Sequence, residues 1–130
     1  MPDCLKIHND MKKIFGVLQK HMFSTEDIQR LESGLKEIYK KNYSEEELVV
    51  IWRVMAKGFA YSERKLSNAF VLMMEVDETI SQENREKLLF AASEFLLDNF
   101  KVSPLDSVIT APNSSYINAF MEAQQSQMAV

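Results

Sequence analysis

The sequence predicts an all-α fold, a compact bundle of five to six helices packed mostly antiparallel, and three observations lead there. Glycine and proline number only three each in 130 residues, too few breakers for a many-turned β fold. Apolar side chains recur at intervals of three and four through successive segments, the spacing of one helix face. Two of these segments open on a helix-capping pattern.

The first predicted helix runs from about Leu5 to Met22, with Ile7, Met11, Ile14, Phe15, Leu18 and Met22 on one face. Lys6, Lys12, Lys13 and Lys20 then fall on the solvated side. The second opens at Ser24, with Asp27 three residues on as a weaker capping box and Phe23 and Ile28 as the staple. It carries Leu31, Leu35, Ile38 and Tyr39 inward and ends near Asn42, after Lys40 and Lys41. The third repeats this grammar with Ser44 and Glu47 as the box and Tyr43 and Leu48 as the staple. From Leu48 to Ala60 it is apolar nearly all round, which places it at the centre of the bundle.

A fourth helix is expected over about 62–76, with a break at Gly58 and Ser62; one continuous helix over 44–76 is the alternative, since one glycine costs about 1 kcal/mol. A fifth is expected from about Ser81 to Lys101, presenting Leu88, Leu89, Ala92, Phe95, Leu96 and Phe100. Pro104 and Pro112 bracket a non-helical stretch, and a short sixth helix starts near Asn113. Residues 1–101 thus form the bundle core, and residues 102–130 a connection and terminal helix packed on the same domain.

Composition narrows the function. The net charge is −4, drifting from slightly basic before Asn42 to acidic after it, which disfavours nucleic acid as a bulk partner. No apolar run is long enough to span a bilayer, so no membrane insertion is expected. One cysteine, Cys4, allows no internal disulfide, and with no signal-like stretch the expectation is a cytoplasmic protein.

Chemical motifs are scarce. Cys4 and His8 stand one helical turn apart, but two ligands make no zinc site, and His21 is distant. Asp77, Thr79 and Ser81 resemble the start of a calcium loop, yet Gln82 stands where glycine is required and Leu88 where a bidentate glutamate belongs. Gly16, Gly34 and Gly58 are isolated, so no phosphate cradle is drawn. Glu45, Glu46 and Glu47 serve capping, and Glu75, Asp77 and Glu78 an exposed turn. No cofactor, metal or catalytic residue is expected.

The sequence therefore points to a small acidic, non-enzymatic interaction module: an adaptor, chaperone or regulator that takes a partner protein segment in an apolar groove. Eight methionines favour an adaptable surface. Met74, Tyr116, Ile117, Phe120 and Met121 are the candidate contacts, and the same surface would suit a homodimer. The alternative is a nucleic-acid-associated transcriptional regulator with a helix-turn-helix-like segment around 48–76, reading through Arg64, Lys65 and Asn68.

Overall fold

A mixed β-sheet, not a helix bundle, occupies the centre of the molecule. The computed structural model describes residues 11–44, 47–55, 61–62, 65–66 and 70–128, with the side chains of 11–44, 47–55, 70–119 and 122–123. In chain order the elements are β1 (Lys12–Gln19), a 3-10 turn (Lys20–Met22), α1 (Thr25–Asn42), β2 (Leu48–Met55), β3 (Tyr61–Ser62), β4 (Lys65–Leu66), β5 (Phe70–Met74), α2 (Gln82–Phe100), a second 3-10 turn (Pro104–Asp106), β6 (Ser107–Thr110) and α3 (Ser114–Met128).

The main sheet runs in the order β2-β1-β5-β6. β1 pairs parallel with β2, with Lys12 opposite Leu48 and Gly16 opposite Trp52. β5 pairs parallel with β6, and the two inner strands, β1 and β5, run antiparallel. The chain is therefore two successive β-α-β units joined through their first strands. β3 and β4 make a separate two-stranded ladder.

The all-α expectation fails at the first, third and fourth predicted helices. Lys12–Gln19 and Leu48–Met55 are strands, and Phe70–Met74 lies within the predicted fourth helix. In β1 the cause is burial on both faces. Ile14 and Leu18 join the main core, while Phe15, from the opposite face of the same strand, is also buried. A strand covered on both sides reads as a continuous apolar run, which periodicity cannot separate from a buried helix. The helix-turn-helix over 48–76 falls for the same reason, because its supposed helices are β2 and β5.

Two helices follow their local signals. α1 starts at the Ser24 cap, with both bonds of the capping box to Asp27 formed, and ends at Asn42. α2 starts at the Ser81 cap and spans Gln82–Phe100. Both lie on one face of the sheet. Leu31, Leu35 and Tyr39 of α1 and Leu88, Ala92 and Leu96 of α2 are fully buried against Ile14, Leu18, Phe70, Leu72, Met74 and Val76. The other sheet face is partly open: Val17, Ile51, Val71 and Met73 are half-buried, and Val108 is exposed.

Candidate active site

Charged side chains converge where β1 begins and β5 ends. Lys13, expected on a solvated helix face, is 9% exposed, and Glu75, expected in an exposed turn, is 3% exposed. Sheet pairing brings them together: the Glu75 amide donates to the Lys13 carbonyl at 2.9 Å, and the Lys13 amide donates to Glu75 Oε1 at 3.2 Å. Lys13 Nζ stands 3.7 Å from the same Oε1 and donates to the Met11 carbonyl at 3.2 Å. The fully buried Tyr39 of α1 fixes this point from the helix side, its hydroxyl donating to the Glu75 carbonyl at 2.6 Å.

A second cluster lies beside it. Lys12 Nζ meets Asp77 Oδ1 at 3.0 Å. The Tyr43 hydroxyl donates to Asp77 Oδ2 at 2.8 Å and accepts the Asp77 amide at 2.7 Å. The Tyr43 hydrogen bond foremost, then Lys12, holds the Asp77 carboxyl below its ordinary value of 3.8. Asp77 is half-exposed, so this cluster reaches solvent.

An open cleft of about 390 Å³ sits at the same end, lined by Met11, Leu48, Glu47, Lys36 and Lys40. Its floor is the start of the parallel pair β1 and β2, and its two lysines come from the last turns of α1. Lys36 shares an ion pair with Glu32 at 3.2 Å, while Lys40 has no ion-pair partner among the described residues. Met11 links cleft and buried pair, since it lines the one and its carbonyl takes the Lys13 ammonium of the other. The foot of β1 therefore carries a buried amine and carboxylate on the Phe15 face of the sheet and a cleft flanked by cations on the helix face, so that proton-transfer groups and anion-binding groups share one end of the sheet. A larger cavity, about 530 Å³ between α1 and α2, is lined by Arg30, Phe95, Asn99 and Phe100 among others and holds no buried acid–base pair.

The residues singled out from the sequence are scattered. Met74 is fully buried in β5 against the helices. On α3, Ile117 is 1% exposed and Tyr116 58% exposed, so of these two only Tyr116 is open to contact. The side chains of Phe120 and Met121 lie outside the described residues, as do Arg64 and Asn68. Lys65 stands in the two-residue β4, in register with Ser62 of β3, and its side chain is likewise outside the description. Cys4 and His8 fall in the undescribed segment, and among the described residues no group of three His, Cys, Asp or Glu is arranged to hold a metal. Lys13 and Glu75, the buried pair, are absent from the sequence candidates.

No family model matches the chain, and no curated protein matches it. Solved structures match its fold. The native Ps01740 crystal structure superposes with a TM-score of 0.72 at 13% identity, covering 78% of this chain and 92% of that one. Pt0534 inactivated by 2-oxo-3-pentynoate gives 0.71 at 10% identity, covering 78% and 84%. N1, of the cis-3-chloroacrylic acid dehalogenase family, gives 0.68 at 9%, covering 78% and 73%. Fused 4-OT structures, of the 4-oxalocrotonate tautomerase type, match too, among them a symmetric and an asymmetric trimer. At these identities the likeness establishes the fold. Those neighbours whose names state an activity are enzymes, and they overturn the reading of a non-enzymatic adaptor, chaperone or regulator; the nucleic-acid alternative gains nothing from them. Among the described residues, no helix is long and apolar enough to cross a membrane. What this chain is similar to is the tautomerase fold, two β-α-β units about one four-stranded sheet.

Proposed function

We propose that the chain is an enzyme of the tautomerase type, which moves a proton within a small oxo or unsaturated carboxylic acid at the foot of β1. The observation that carries this reading is the buried Lys13–Glu75 pair at the foot of β1; the cleft of Lys36 and Lys40 opens at the same end of the sheet, on its helix side. A buried ion pair adds little stability over an apolar replacement, whereas an amine and a carboxylate in one dry corner supply a proton donor and acceptor. The two cleft lysines would hold the acid group of the substrate. The fold supports the reading through neighbours named for a tautomerase, a chloroacrylic acid dehalogenase family and an oxo-acid inactivator.

The test is ketonisation of a 2-hydroxydienoic acid followed by ultraviolet absorbance. Glu75→Gln keeps the shape of the side chain and removes its proton capacity, and is expected to lower kcat by about a hundredfold or more. Lys40→Ala is expected to raise KM instead, by removing ground-state binding. Full activity in Glu75→Gln would remove the proposal. Self-association fits the partly open sheet face and the trimers among the neighbours. The single cysteine fits a reducing, cytoplasmic setting.

A further inference from the structure

Away from the foot of β1, the start of α1 and the end of α2 border an open cavity of about 530 Å³. Sites for small molecules have volumes of this order. Glu26 and Arg30 reach it from the first half of α1, and Phe95, Asn99 and Phe100 from the last turns of α2. The Phe95 and Phe100 rings meet edge to face, with centroids 5.6 Å apart and planes at 72°, and give the cavity an apolar wall. The Arg30 guanidinium lies over the Phe100 ring, 4.9 Å from its centroid. A ring face steadies the cation and leaves the N–H fork in its plane open to a carboxylate. Asp27 meets that fork only at 3.4 Å. Glu26 stands one turn before Arg30 and has no ion-pair partner among the described residues. Asn99 donates its Nδ2 to the Phe95 carbonyl at 3.0 Å, which leaves its Oδ1 to accept.

The charges decide which ligand fits. A plain anion would pair with Arg30 and be repelled by Glu26, and a plain cation the reverse. An apolar ring alone would leave both charges unused. A zwitterion that carries an aromatic ring satisfies all three. Residues four apart on a helix have Cβ atoms about 5–6 Å apart, close enough for Arg30 and Glu26 to take two charges borne on one carbon. From this we infer that the groove between α1 and α2 is a binding site for a free aromatic amino acid, separate from the foot of β1. Its α-carboxylate pairs with Arg30, its α-ammonium with Glu26 and Asn99 Oδ1, and its ring packs against Phe95 and Phe100. The cavity holds no buried acid–base pair, so the site binds the amino acid and leaves it unchanged.

The experiment is isothermal titration calorimetry of the full-length chain with L-phenylalanine as the probe. Three related compounds each lack one part of it: 3-phenylpropanoate the ammonium, phenethylamine the carboxylate and L-alanine the ring. We expect one saturable site for phenylalanine, and binding weaker by about tenfold or more for each of the three. Arg30→Gln is expected to weaken phenylalanine by about tenfold without weakening phenethylamine, and Glu26→Gln to weaken phenylalanine similarly without weakening 3-phenylpropanoate. Both residues are exposed on α1, so the fold loses little in either variant. The wild-type series decides the question even if a variant folds poorly. No saturable binding of phenylalanine at millimolar concentration, or equal affinity for phenylalanine and 3-phenylpropanoate, overturns the inference. Phenylalanine binding that both variants leave intact places the amino acid elsewhere and overturns it too. None of these outcomes depends on turnover at the foot of β1.

Discussion

At Asp77 one phenol sets the charge of a residue at the foot of β1. The Tyr43 hydroxyl is its largest stabilising contact, so the carboxyl titrates below 3.8 in the folded chain. A depressed carboxyl contributes stability above its unfolded value and loses it as pH falls through the folded one. Tyr43→Phe is therefore expected to destabilise the protein most at neutral pH, by less than about 1 kcal/mol for so exposed a group. Denaturant unfolding at neutral pH and again below 3.8 should show the gap to wild type narrowing in acid; a gap that widens there would contradict the assignment. The glycines offer a second contrast at this scale. A Cβ on Gly16 would collide with the Trp52 ring across the β1–β2 ladder, and one on Gly34 with the tip of Phe95. Trp52 is wedged among Phe70 and the core, with its ring held in the sheet. Phe95 is a half-buried helix side chain that can swing outward. Gly16→Ala is expected to cost about 1–3 kcal/mol, whereas Gly34→Ala is expected to cost less, because helix propensity returns about 1 kcal/mol. Equal losses in thermal or denaturant unfolding would show that Phe95 cannot yield.

Elements with local signals follow the sequence, and those without them do not. Ser24 with Asp27 and Ser81 with the Asn84 amide are caps, settled within one helical turn, and both helices begin where these residues stand. The strands have no such marker. In β1, Ile14 and Leu18 satisfy a helical spacing, yet Phe15 and Val17 fill the opposite strand face; both patterns coexist in one apolar stretch. In β2 the β-branched run Val49, Val50 and Ile51 is a strand signal that competes with the helix-capping pattern at Ser44. The proposed acid–base pair is less legible still, since Glu75, 62 residues away, reaches Lys13 only through the pairing of β5 with β1. α2 ends in a manner the sequence does not announce. Lys101 takes the left-handed conformation at φ 58°, with its amide on the Leu97 carbonyl and the Val102 amide on the Leu96 carbonyl. Glycine is the residue that suits this position. Lys101→Gly is expected to raise unfolding stability by about 0.5–1 kcal/mol, and a loss would mean that the lysine stem contributes packing that outweighs its backbone strain.

The whole molecule is lopsided: both long helices cover one face of the sheet, and the other face has partial cover only. Alternation puts Val17, Ile51, Val71 and Met73 on that second face, all half-buried, with the exposed Val108 beside Val71 in register. An apolar face of this kind is the sort of surface that a partner covers. It is central to the sheet, so an identical partner can present the same surface, and closed symmetric assembly follows from self-complementarity. Light scattering on the purified chain is expected to give a multiple of the monomer mass. Val108→Glu places a charge on that face at an exposed position of the edge strand β6, where the isolated fold loses little. The variant is expected to shift the assembly toward monomer, with its far-ultraviolet circular dichroism unchanged. A wild-type chain that stays monomeric at high concentration would leave the apolar face without a self-partner. If instead Val108→Glu unfolds the chain, β6 is held by the second face more tightly than its exposure indicates. The foot of β1 lies at the end of this same sheet, so ketonisation that falls in step with the oligomer across a dilution series would show that assembly shapes the cleft of Lys36 and Lys40; activity independent of dilution would confine the site to one chain.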